Sequence, residues 1–166
     1  MPLDQREKEL AAIGASIGAN CGPCIEHHLA AARESGLSAM EISDAVATAR
    51  SVRYDAISLL DARVGAMLGH QVEPGPGVEA APTSQAAELV SLGASVGANA
   101  HRLLQTHIGA AFAAGLELHQ IRSALKMAGY VQQHAAALTA DEVTRALTAQ
   151  QGDAASETPL QKGVRT

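Results

Sequence analysis

EKELAAIGASIGANCGPCIEHH, residues 7–28, decides the fold class, because two thiols follow directly on a segment with helical rather than strand patterning. Leu3, Leu10, Ile13 and Ile17 recur at helical spacing among Ala and Gly, which predicts an amphipathic helix over residues 3–17. Gly18-Ala19-Asn20 breaks it, and Asn20 is placed to cap a second helix over residues 21–35, with Gly36 as its C′ residue. On that second helix Cys21, Cys24 and His28 stand at i, i+3 and i+7, within an arc of roughly 60°. One face therefore offers two thiols and an imidazole, and a helical hairpin can fold Glu9 back onto it.

The composition agrees with an all-α chain. Of 166 residues 47% are hydrophobic but only 2% aromatic, with no Trp, so the core must be built from Ala, Leu, Val and Ile. Ala is the best helix former and a poor strand former. The net charge of −5, without a basic stripe, argues against nucleic-acid binding. No apolar run is long enough to span a bilayer, and MPLDQREKEL has no apolar stretch of the secretory kind. The expectation is a cytoplasmic protein with no membrane partner. Its two cysteines, both in one motif, read as redox or metal chemistry rather than a disulfide scaffold.

The chain also matches itself. Residues 9–49 align without a gap to residues 88–128, an offset of 79, with 16 identities in 41 positions. Glu9 pairs with Glu88, Asn20 with Asn99, His28 with His107 and Gly36 with Gly115, whereas Cys21 and Cys24 become Ala100 and Leu103. Two tandem repeats are expected, only the first carrying Cys-x-x-Cys: 1–69, a linker at 70–83 rich in Pro and Gly, 84–150, and a polar tail at 151–166. Ser38-x-x-Glu41 fits a capping box for a helix reaching about residue 68. In the second half, Thr83 or Ser84 starts helices near 84–96, 100–114 and 117–137, and Thr139 caps a last helix to about 150.

Cys-Gly-Pro-Cys is also the tetrapeptide of thioredoxin, but that fold needs a strand running into the cysteine helix, and here the upstream segment is helical. The shared physics remains. A helix N-terminus lowers the pKa of a thiol, the thiolate attacks a peroxide, and a second thiol one turn away traps the sulfenate before it is over-oxidised.

Glu9, eleven residues, Cys21-x-x-Cys24, three residues and His28 resemble the signature of the alkylhydroperoxidase D (AhpD)-like proteins of the carboxymuconolactone decarboxylase superfamily. The resemblance implies an AhpD-like helical fold and a homo-oligomer, trimer or hexamer. It further implies that Cys24 attacks a hydroperoxide substrate and becomes a sulfenic acid. Cys21 then resolves it to a disulfide, Glu9 and His28 relay protons, and a dithiol, lipoyl or thioredoxin-like donor restores the thiols, without an organic or metal cofactor. Some members carry a further His between the cysteines; Gly22 and Pro23 stand there, so a relay through that position is absent, and His27 is the neighbouring substitute.

Rival readings stay open at this point. A carboxymuconolactone-type lyase or isomerase would not need the cysteine pair. A non-enzymatic metal or electrophile binder would use Cys21, Cys24 and His28, completed by Glu9 or His27. His28 also admits a structural role shared with His107 and Glu88, since that pair persists where the thiols are gone. His27, His70, His101, His119 and His134 read as surface or interface residues, and Arg50 and Arg53 as candidates for the rim of the site.

Overall fold

The computed structural model describes residues 2–70 and 84–156, so all of the expected 70–83 linker but its first residue, and residues 157–166 of the expected tail, lie outside the described residues. Among them there are six helices and no strand: α1 (Gln5–Gly18), α2 (Gly22–Glu34), α3 (Ala39–Met67), α4 (Gln85–Gly97), α5 (His101–Ala113) and α6 (Leu118–Ser156). The chain is all-α, as its composition predicts. It divides into a compact unit running through Ala135 and a second unit from Ala136 onward.

Local chemistry fixes the helix ends. Ser38 caps α3 through the expected box: its hydroxyl accepts from the Glu41 amide at 3.2 Å, and the Glu41 carboxylate accepts from the Ser38 amide at 2.8 Å. Asp4 and Glu7 build the same box on α1. Hydrogen bonds from Ser38, reinforced by Arg6, hold the Glu41 carboxyl below its ordinary range. Arg6 also donates to the Gly36 carbonyl, tying α1 to the α2–α3 turn.

Asn20 does not cap α2. It stands at φ 56°, the left-handed C′ residue of α1: its amide donates to the Ile17 carbonyl, and the Cys21 amide to the Ser16 carbonyl. This double closure ends α1 and hands the N-cap of α2 to Cys21. Asn tolerates the left-handed region better than most residues with a Cβ. Asn99, at φ 53°, closes α4 with the same two bonds, so each asparagine serves the helix before it.

Two further expectations change. α1 is not amphipathic over its middle, because every residue from Glu9 to Ser16 is buried, and α4 is buried almost as completely. The two are central helices whose backbones touch. A Cβ added to Gly14 would collide with the Val90 carbonyl, and one on Gly18 with that of Ala94. Reciprocally, Gly93 lies against the Ala11 carbonyl and Gly97 against that of Ala15. The contacts advance in step, so α1 and α4 run parallel. Glycine at four-residue spacing on both helices allows this approach. Ile13, Leu89, Val90 and Leu92 fill the core around it among buried alanines. Second, no helix starts at Thr139: α6 runs unbroken from Leu118 to Ser156, since nothing from 130 to 151 is Gly or Pro and the segment is rich in Ala, Gln and Leu. In its later part Val143 and Leu147 are exposed and Arg145 pairs with Glu142 at 2.8 Å. No helix among the described residues is long and apolar enough to cross a membrane.

The backbone contact makes a direct prediction. Gly14→Ala or Gly93→Ala should each cost about 1–3 kcal/mol, because a methyl forced against backbone cannot be relieved by a rotamer change. Gly129→Ala on α6, where an added Cβ meets open space, should hold or raise the melting temperature. Thermal denaturation of the three variants followed by circular dichroism checks the contrast.

Candidate functional site

Three helices converge on the cysteine motif. Cys21 is the N-cap of α2, and its sulfur accepts from the Cys24 amide at 3.2 Å. Pro23 sits in the first turn of α2, where a missing N–H costs nothing. Cys21 and Cys24 are joined as a disulfide, with their Cα atoms 5.2 Å apart, and both are buried.

One turn beyond Cys24, His28 turns its Nδ1 to Glu9 of α1, 2.8 Å from Oε2. The other carboxylate oxygen of Glu9 accepts from Gln5 Nε2 at 2.6 Å. Glu9 is 3% exposed, so a buried carboxylate is satisfied on both oxygens, and it fixes the imidazole ring with Nε2 as the nitrogen left over. The structure thus brings Glu9 and His28 into contact and places Cys24 on the helix that carries His28, while Cys21 stands at the N-cap just outside the helix rather than on its face as the spacing predicts.

Cys24 opens onto a cavity of about 470 Å³. From α2 it is lined by Pro23, Cys24, His27 and His28, and from α6 by Met127, Tyr130, Val131 and His134. Cys21 does not line it. The sequence reading leaves His27 and His134 among surface residues and does not single out Tyr130; only the packing of α6 beside α2 gathers them, and no local motif signals it. Arg53 does not line this cavity: its guanidinium donates to the Ile17 carbonyl at 3.0 Å and to Asn20 Oδ1 at 2.8 Å, clamping the α1–α2 turn. Arg50 is exposed. Among the described residues no three His, Cys, Asp or Glu side chains converge as a metal site.

Around α4 and α5 a second acid–imidazole pair stands without thiols. His107 Nδ1 lies 3.0 Å from Glu88 Oε2, and Gln132 donates to the Val96 carbonyl and to Asn99 Oδ1, as Arg53 does for the first turn. Ala100 caps α5 with no side-chain bond. Glu88 is fully buried, and its Oε1 has no hydrogen-bond partner. The reason is local: the position of Gln5 is taken by Ser84, whose hydroxyl is used to cap α4. A larger cavity of about 660 Å³ lies beside Ala100 and Leu103, lined also by Leu60, Arg63 and His101, but it holds no thiol. Chemistry rather than size therefore selects the cavity over Cys24.

Residues 2–63 match the family described as Carboxymuconolactone decarboxylase family. The match holds Glu9, Cys21, Cys24 and His28, so the resemblance read from their spacing stands for that part of the chain. No curated protein and no solved structure matches the chain.

Two stability predictions follow from the surroundings of His107. Removing His107 strands a buried carboxylate, so His107→Ala should cost about 3 kcal/mol in a denaturant titration. Asp55 is half-buried, and burial pushes its carboxyl above the ordinary value of 3.8, with the His107 charge opposing this to a lesser degree. The folded state then holds the proton more tightly than the unfolded chain, so stability is highest below the ordinary value and falls as pH rises through the folded pKa. Asp55→Asn should raise the melting temperature at pH 7 and change it least near about pH 3.

Proposed function

We propose that this chain, whose residues 2–63 are those of the carboxymuconolactone decarboxylase family, is a thiol–disulfide oxidoreductase that reduces alkyl hydroperoxides at Cys24 and Cys21. The observation that carries the reading is the division of labour between the two sulfurs. Cys24 faces a cavity and stands one turn before an imidazole held by a buried carboxylate, whereas Cys21 sits at the helix N-terminus behind it.

In the reduced protein His28 Nε2 accepts the Cys24 thiol proton, and the Glu9 carboxylate stabilises the imidazolium that forms. The Cys24 thiolate attacks the terminal peroxide oxygen. The O–O bond breaks, its electron pair leaves with the alkoxide, and Cys24 becomes a sulfenic acid. The N-terminal end of α2 favours negative charge on the Cys21 sulfur, which attacks the Cys24 sulfur, forms the disulfide and releases the hydroxyl as water. An external dithiol, lipoyl or thioredoxin-like, then reduces the disulfide by exchange. The exposed apolar side chains along α3, among them Tyr54, Ile57, Leu60 and Met67, support assembly as a homo-oligomer, trimer or hexamer.

One feature favours a second reading. Glu88 and His107 keep an acid–imidazole pair without thiols, which suits proton transfer at carbon in a lyase or isomerase. Activity that survives replacement of both cysteines by Ser would establish that reading.

Thiol titration tests the first. Reduced wild-type protein should fall from two free thiols to none on one equivalent of an alkyl hydroperoxide. Cys24→Ser should barely react, and Cys21→Ser should accumulate a sulfenic acid that dimedone traps. Glu9→Gln and His28→Asn should each slow thiol loss by about a hundredfold. Persistence of both thiols in the wild type would overturn the peroxidase reading.

A further inference from the structure

The steps above name no group that protonates the departing alkoxide. An alkoxide is a poor leaving group at neutral pH unless an acid protonates it as the O–O bond breaks. Within the motif the nearest proton is the one His28 takes from the Cys24 thiol, held on Nε2 on the side of the attacking sulfur, while position 23, between the cysteines, is Pro. The His27 ring lies on the same helix as Cys24 and packs edge-on against His28, centroids 4.9 Å apart at 77°.

The opposite wall of the cavity is different. It is made by α6, and its ionisable side chains are His134 and, one turn earlier, Tyr130. A hydroperoxide that met Cys24 of α2 with its terminal oxygen would turn its leaving oxygen toward the α6 wall of the cavity. Imidazole is the side chain that carries and releases a proton near neutrality, whereas a phenol holds its proton far more tightly.

We infer that His134 is the general acid of the reaction, reaching from α6 across the cavity to protonate the departing alkoxide. This assignment rests on the peroxidase reading above. In the balanced step the Cys24 thiolate forms the S–O bond as the O–O bond breaks. The released electron pair takes the His134 proton, alcohol leaves, and neutral His134 recovers a proton from solvent, to which it is exposed. The repeat offset bears on the placement: position 134 corresponds to Asp55 in the first half, so this one position carries an imidazole beside the thiols and a carboxylate in the other copy.

Single-turnover thiol loss in reduced protein separates this role from a structural one, when wild type and His134→Gln are each mixed with tert-butyl hydroperoxide and with peracetic acid. The first must expel an alkoxide, the second an acetate that needs no proton. His134→Gln should lose about a hundredfold on the alkyl hydroperoxide and less than about threefold on the peracid. Equal losses on both oxidants, or none on either, would overturn the assignment while leaving the peroxidase reading intact. The leaving-group-dependent loss appearing in Tyr130→Phe instead would move the role to the phenol. A wild type inert to both oxidants would overturn the parent reading and this one with it.

Discussion

The structure depends on the contact between the α1 and α4 backbones. Four glycines in two matched pairs remove every side chain from the crossing, and carbonyl oxygens take the place where methyl groups would stand. Everything functional is referenced to α1. Glu9 is buried because α1 is buried, and α1 is buried because α4 lies directly against it. A central helix crowded on all sides has little freedom to shift, so its carboxylate is a fixed point against which His28 is aligned. The low aromatic content fits the same picture, since a core assembled around touching backbones has little room for rings.

From that fixed point the site is built by helix ends. Asn20 in the left-handed conformation terminates α1 and makes Cys21 do two things: its amide completes the closing turn of α1, and its sulfur opens α2. Arg53 locks the same turn from α3. The cysteine at the helix start gains the field of the N-terminus, while the cysteine one turn further gains the cavity. Two identical side chains three residues apart thus acquire different environments from backbone geometry alone.

Much of this is legible in the sequence, and the limits have physical causes. Spacing alone places Cys24 and His28 on one helix and brings Glu9 back to it, because helical period and a short connection leave few alternatives, but it carries Cys21 into the helix where the structure has it as the N-cap. The Ser38 box is read correctly because its signal is local. Asn20 is misread because a cap and a left-handed terminator favour the same residue, and only the partner bonds tell them apart. The one-sided face of α1 is misjudged because Ala and Gly count as filler in a periodicity, although here they mark the tightest contact. Tyr130 and His134 escape for a different reason: they join the site through the packing of α6 beside α2, and no neighbour in sequence announces it. The helix start expected at Thr139 shows that a capping residue cannot interrupt a segment in which every neighbour favours continuing.

The uncapped start of α5 has a wider meaning. At Ala100 and Leu103 the same turn, the same asparagine and the same acid–imidazole pair stand without sulfur, and α5 forms regardless. The chain therefore carries, within a single molecule, a second turn and acid–imidazole pair that stand without cysteines. Whatever keeps the thiols in the first half, it is not the architecture, which has already shown that it can do without them.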